Sequence, residues 1–234
     1  VVQKIQSEQF CKEGRLMTVI NVAKIPLKTI DLSPGSHLLI TDVTWEQYEE
    51  LLEELGEERR VPRINYCNGT LEIMSPLPAH ERPHRIIADI VKAILDAQGR
   101  DWEDFGSTTF KKLKKAGLEP DTCFYIQNAA RVRSRMQMNM DEDPPPDLGI
   151  EADVTSKTTL EAYAALQVPE VWIYDNGKLT LNVLQNDNYQ ASTTSPTFPD
   201  WPMPEMIPYW VQRAFEEGTS TMLRQLRKEM SQEG

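Results

Sequence analysis

Two stretches of this chain place carboxylates where a metal ion could use them. Asp147-Leu148-Gly149-Ile150-Glu151-Ala152-Asp153-Val154 reads as a strand. The side-chain period of two on a strand puts Glu151 and Asp153 on one face and leaves Ile150 and Ala152 facing the core. Glu119-Pro120-Asp121 leads into a second strand-like run, Thr122 to Ile126. Two acids on one face of an otherwise apolar strand are costly to desolvate, and a divalent cation offsets that cost directly. If Asp121 arrives from the neighbouring strand, three carboxylates converge, an oxygen-rich set that suits Mg²⁺ or Mn²⁺ better than zinc. The same acids could instead sit at strand ends, facing water or pairing with arginine or lysine.

A second pattern, His80-Glu81-Arg82-Pro83-His84, matches the HExxH spacing of zinc peptidases, in which two imidazoles stand one helical turn apart and the glutamate is the general base. Pro76, Pro78 and Pro83 crowd this segment, so any helix is only beginning there, whereas the peptidase motif lies inside an established helix. The remaining histidine, His37, is far upstream beside a turn. The segment reads as a helix start, with His80 or Glu81 available at the rim of the carboxylate site.

The elements that must position these residues are legible in outline. Thr44-Trp45-Glu46-Gln47 fits a capping box, and Trp45, Tyr48, Leu51, Leu52 and Leu55 recur at helical spacing to about Leu55. The acids of that helix fall largely off the apolar stripe and read as a solvated face. Runs 63–67 and 70–74 flank Asn68-Gly69, a strong hairpin signal because both central positions need φ > 0. A helix spans about His80 to Gln98, with rows Ile86, Ile90, Ile94 and Ile87, Val91, Leu95. Thr108 to Lys115 and Glu119 to Ile126 read as strands around Ala116-Gly117, and 127–146 as an irregular excursion. After the strand carrying Glu151 come a short helix over Thr158 to Leu166, a hairpin across Asn176-Gly177, and a strand near Tyr189 to Thr194. A proline-rich break over 196–208 leads to a C-terminal helix from about Tyr209. The order predicts an α/β or α+β domain, a mixed sheet with helices packed on it. Residues 1–40 read as an N-terminal extension and lead-in, and 41–234 as one domain.

Composition bounds the rest. The chain has 234 residues, enough for one sizeable core. No apolar run approaches the length of about 20 residues that a membrane helix needs, and Val1 to Arg15 lack the layout of a secretory signal. Three cysteines without a CxxC pair argue for a reducing, cytoplasmic setting. The net charge of −11 opposes simple phosphate binding, although segregated charge or a bound cation can offset it locally.

Met74-Ser75-Pro76 through His80, Glu119-Pro120-Asp121, Ile150-Glu151 with Thr155-Ser156-Lys157, and Tyr163 with Val168-Pro169-Glu170-Val171-Trp172 together resemble the Uma-type family of candidate restriction endonucleases of bacteria, over about Thr41 to Trp210. The resemblance implies the PD-(D/E)XK fold, a restriction-endonuclease-like central mixed sheet flanked by helices. It makes Asp121 the aspartate of the first half-motif and Glu151 the acid of the second. It also implies metal-dependent hydrolysis of DNA phosphodiester bonds, with Asp121 and Glu151 holding Mg²⁺ or Mn²⁺ and Asp153 either a further ligand or the group that orients the attacking water. One position departs: where the family pattern has a lysine two residues after the acid, this chain has Asp153. Lys157 is the first candidate to replace it, with Lys112 or Lys114 from a neighbouring strand as others. Lys111, Lys112 and Lys114 and the cluster Arg131, Arg133, Arg135 are the evident phosphate contacts, or else plain surface charge. The alternative reading is a catalytically weak descendant that binds nucleic acid or a protein. Cutting both strands of a duplex suits a two-fold arrangement, so a homodimer is an expectation.

Overall fold

The computed structural model describes residues 9–10, 16–17, 31–56, 62–75, 78–152 and 156–231, the side chains of 9–10, 16–17 and 78–80 excepted. The chain divides into two units, Val1–Asp31 and Leu32–Gly234. In the first, β1 (Gln9–Phe10) pairs antiparallel with β2 (Leu16–Met17). The second holds everything else, including β3 (His37–Ile40), which the sequence reading assigned to the N-terminal lead-in.

The second unit opens with β3 and α1 (Trp45–Leu55). The capping box at α1 is present: Thr44 Oγ1 accepts from Gln47 N (3.2 Å) and Gln47 Oε1 from Thr44 N (2.8 Å). β4 (Arg63–Cys67) and β5 (Thr70–Met74) form the expected hairpin across Asn68-Gly69, and α2 runs Pro78–Ala97. Then come β6 (Glu103–Asp104), β7 (Phe110–Lys112), β8 (Ala116–Leu118), β9 (Thr122–Tyr125), α3 (Ala129–Val132) and β10 (Leu148–Ala152). The chain closes with α4 (Lys157–Leu166), β11 (Glu170–Asp175), β12 (Lys178–Gln185), β13 (Asn188–Ser192), α5 (Met203–Glu217) and α6 (Thr219–Met230).

The strands of the second unit make two sheets. One is six-stranded and mixed, in the order β13-β12-β11-β10-β9-β6; the other is five-stranded and antiparallel, β3-β5-β4-β8-β7. The parallel pair β10–β11 needs a crossover connection, and α4 supplies it. The long apolar rows of α2 pack on Phe124, Leu148, Ile150 and Trp172 from one face of the mixed sheet, together with α5 and α6. α4 covers the other face, burying Ala162, Tyr163 and Leu166 against Cys123, Tyr125 and Val171, and also packs on β4 and β8 of the second sheet. The expected mixed sheet flanked by helices is therefore present, with a second sheet beside α4. Among the described residues no helix is long and apolar enough to cross a membrane.

Three boundaries differ from expectation. Ala116-Gly117 is not a turn: it lies within β8, and the chain reverses at Leu113-Lys114, with Lys114 at φ 57°. Glycine is needed at 117 because a Cβ there would stand 1.9 Å from the Tyr48 hydroxyl of α1. β10 is buried on both faces rather than one, which is why a glycine, not a larger residue, precedes Ile150. α5 begins at Met203, six residues before the expected Tyr209. Pro204 falls in the first turn, where no amide is needed, and Pro208 forfeits only one bond, to the carbonyl four residues back.

Candidate functional site

The chain passes from one sheet to the other through Glu119-Pro120-Asp121, between β8 and β9. Groups on or beside the five-stranded sheet fasten this crossing. Ile64 N–H donates to Glu119 Oε2 (2.9 Å), Thr109 Oγ1 to Glu119 Oε1 (2.8 Å), and Glu119 N–H to Asn65 Oδ1 (2.9 Å). Asp121 is thereby set at the start of β9. The antiparallel register of β9 and β10 pairs Ile150 with Thr122, so Asp121 and Glu151 each stand one residue beyond that pair. Ala152 N–H donates to Asp121 Oδ2 (2.6 Å), and Arg63 at the start of β4 forms an ion pair with Asp121 Oδ1. Arg63 also reaches Glu81 Oε1 (2.9 Å) on the first turn of α2.

Glu151 points to the α4 side of β10, where Tyr163 OH donates to its Oε1 (2.5 Å). Burial pushes its carboxyl up to about 7, against the lowering influence of Tyr163 and of the Arg63 charge; the Glu72 carboxylate adds to the rise. Glu72 on β5 behaves oppositely. Burial alone would raise its carboxyl, but it accepts hydrogen bonds from Ser156 Oγ (2.7 Å) and Thr159 Oγ1 (2.7 Å), with His37 and Asn65 each 3.4 Å away. These hold it below the usual carboxylate range. Ser156 is the N-cap of α4, so Glu72 anchors the helix that places Tyr163. Two buried glutamates, two environments: one fully hydrogen-bonded, the other short of positive charge.

That contrast has a stability signature. In the unfolded chain Glu151 titrates near the ordinary glutamate value, about 4.3, so between there and about 7 the folded protein holds the extra proton. Stability falls with rising pH wherever the native state binds more protons. Glu151 therefore contributes most at acidic pH and loses that contribution as pH climbs through 7. The expected result is that Glu151→Gln gains in urea midpoint relative to wild type between pH 5.5 and pH 8. A wild-type-to-variant difference independent of pH in that window would remove the assignment.

A cleft of about 390 Å³ opens onto Asp121. Its wall is the polar face of α2, namely Glu81, His84, Arg85, Ala88, Asp89 and Lys92, facing Arg63, Asp104 and Asp121. Glu81 stands 3.3 Å from His84 Nε2 and 3.5 Å from Arg85. Burial holds the His84 imidazole below its ordinary value despite the nearby Glu81 carboxylate, so near pH 7 it is neutral. Lys92 Nζ lies 2.7 Å from Asp104 Oδ2.

Of the residues singled out in the sequence, Asp121 and Glu81 line this cleft and are joined through Arg63, whereas Glu151 lies on β10 outside its lining. His80 falls on the first turn of α2 with its side chain outside the described residues, and Asp153 lies outside them altogether. Lys157, first residue of α4, is exposed and pairs with Glu161 (3.4 Å). Lys111 pairs with Glu49, Lys112 donates to Ala165 O, Arg131 to Glu142 O, and Arg133 binds Asp101 and Glu103. None of these, nor Lys114, lines the cleft. The basic residues that do, Arg63, Arg85 and Lys92, were not singled out. A signal for two of them existed: Glu81, Arg85, Asp89 and Lys92 recur at helical spacing opposite the apolar rows of α2.

Asp121 and Glu151 are hard oxygen donors, and burial raises the carboxyl of the second. By donor chemistry this pair fits Mg²⁺ or Mn²⁺. Among the described residues no group of three or more His, Cys, Asp or Glu side chains is placed to hold a metal. Both oxygens of Asp121 are also engaged, so a cation reaching it must share it with Arg63 or displace Arg63.

The sequence profile described as "Uma2: Putative restriction endonuclease" matches residues 45–216. Among solved structures, a crystal structure described as "a putative nuclease belonging to DUF820", from Anabaena variabilis, aligns with a TM-score of 0.50 at 15% identity, covering 72% of this chain and 99% of that one. At that identity the likeness speaks for the fold alone. No curated protein matches the chain.

Proposed function

This chain belongs to the Uma2 family, and from that premise we propose that it is a Mg²⁺- or Mn²⁺-dependent endonuclease that hydrolyses DNA phosphodiester bonds at the Asp121–Glu151 pair. The observation that carries the reading is that Asp121, buried beside an open cleft where the two sheets meet, accepts from the Ala152 amide, which adjoins the buried Glu151 on β10. Asp121 and Glu151 would hold the ion, with Asp153 added on sequence spacing alone. When bound, the ion supplies Lewis acidity and neutralises charge at the phosphate. The chain's own residues do the rest. Tyr163 orients the Glu151 carboxylate through its hydroxyl, and the Ala152 amide fixes the rotamer of Asp121. Arg85 and Lys92, on the cleft wall, are the cations available to phosphate oxygens.

A second reading is favoured by one observation: no lysine occupies the position two residues after Glu151, and Lys157 turns to solvent. On that reading the protein binds nucleic acid or another protein and cuts weakly or not at all. Incubation with supercoiled plasmid in Mg²⁺ or Mn²⁺ at low salt separates the two. Nicking that depends on metal and stops with chelator is the expected result. An intact plasmid under both metals, alongside retarded migration of the DNA, would transfer the assignment to the binding reading.

A further inference from the structure

The geometry points to Arg63 as a built-in competitor for the metal: its guanidinium holds the cation position at Asp121 and yields it by moving to Glu81. This rests on the metal-holding role proposed above for Asp121 and Glu151. Arg63 is buried, 7% exposed, and its two terminal nitrogens are divided between two carboxylates, Nη1 to Asp121 Oδ1 and Nη2 to Glu81 Oε1. The other oxygen of Asp121 is taken by the Ala152 amide, so Oδ1 is the one on which guanidinium and metal would compete. Glu81, by contrast, is a third exposed on its side chain and stands on the cleft wall, with His84 and Arg85 as further partners.

Arginine does not lose its proton at any ordinary pH, so the conflict between guanidinium and divalent cation is not removed by titration. It is removed by geometry, through a guanidinium that turns onto the acceptor it already touches. Glu81 thus acts as the parking place, and the two carboxylates bias Arg63 in opposite senses. Weakening the hold of Glu81 leaves Arg63 more firmly on Asp121; removing the guanidinium leaves Asp121 open. A purely structural ion pair gives no such opposition, since loss of either partner would then disturb the site in the same direction.

The test is Mn²⁺ binding to the full chain, followed by titration calorimetry and by the electron-paramagnetic signal of free Mn²⁺, without DNA. Arg63→Met keeps the apolar stem and is expected to bind Mn²⁺ roughly tenfold tighter than wild type, while Glu81→Gln binds it severalfold weaker, the scale of ordinary coupling between sites. If Arg63→Met does not fold, the Glu81→Gln arm stands alone, because that side chain is partly exposed and its loss leaves the Asp121–Arg63 pair in place. Wild type that binds Mn²⁺ while Glu81→Gln binds equally well or better overturns the competitor role and leaves the metal site standing. No Mn²⁺ binding by wild type or either variant overturns the metal reading itself, and the competitor role with it.

Discussion

Asp121→Asn and Glu151→Gln are each expected to reduce metal-dependent plasmid cleavage by about a hundredfold or more, the scale seen when one preorganised charge-stabilising group is removed. The two are expected to part company on stability. Asp121 is the nearer partner of a buried guanidinium, and breaking a buried ion pair from one side costs up to about 3–5 kcal/mol, reduced here because Arg63 keeps its second carboxylate, Glu81. Glu151 has only part of a counter-charge and a carboxyl raised to about 7. Neutralising it at pH 8 removes a buried charge the fold disfavours, while Tyr163 OH can still donate to the amide oxygen. Urea unfolding followed by tryptophan fluorescence should therefore show Asp121→Asn well below wild type and Glu151→Gln level with or above it at pH 8. The pattern matters because equal losses of activity with opposite shifts in stability cannot come from general unfolding. Cleavage that survives both substitutions would place the chemistry elsewhere in the molecule, and equal destabilisation by both would mean that Glu151 is charged and paired at pH 8.

Much of the scaffold was legible because its signals are local. Asn68-Gly69, Asn176-Gly177 and the Thr44–Gln47 box each act within a few residues, and the structure uses each as expected. The acids were visible for a related reason: a strand's alternation shows that Glu151 leaves the Ile150 face, whatever lies beyond it. What escaped depends on contacts far apart in sequence. Arg63 reads as the first residue of a hairpin, and nothing nearby announces that it meets Asp121 across two sheets. The division into two sheets is equally non-local, decided where Glu119-Pro120-Asp121 is pinned by Ile64, Asn65 and Thr109. Basic runs misdirect for the opposite reason. Lys111 and Arg133 stand out by composition, yet neither lines the cleft, and the cations beside Asp121 are spread singly along α2 and β4. In a chain of net charge −11, the useful question about a lysine or arginine is whether it stands on the cleft wall, and that is a property of packing.

Gly149→Ala is expected to be a damaging single-methyl change beside Glu151. A Cβ at 149 would stand 2.5 Å from Tyr163 Cε1 and 2.9 Å from its hydroxyl oxygen. The ring is fully buried among Cys123, Ala162, Leu166 and Val171 and cannot swing aside without opening that cluster. Overpacking of this kind costs about 1–3 kcal/mol, and here the displaced ring carries the hydroxyl that serves Glu151. Tyr163→Phe isolates the second effect: the packing stays, the donor goes, and the expected loss is about 1–3 kcal/mol for leaving a buried acceptor unpaired. The decisive comparison is Gly149→Ala in a Tyr163→Leu background, where the smaller side chain makes room. If the clash is the cause, the methyl should cost markedly less there than in the wild-type background, a coupling of about 0.5–3 kcal/mol between contacting positions. Cleavage should fall in Gly149→Ala and in Tyr163→Phe alike, since both take the same hydroxyl from the same carboxylate. A Gly149→Ala protein as stable and as active as wild type would show that Tyr163 has space to spare, and then the close approach of α4 to β10 would have no part in holding Glu151.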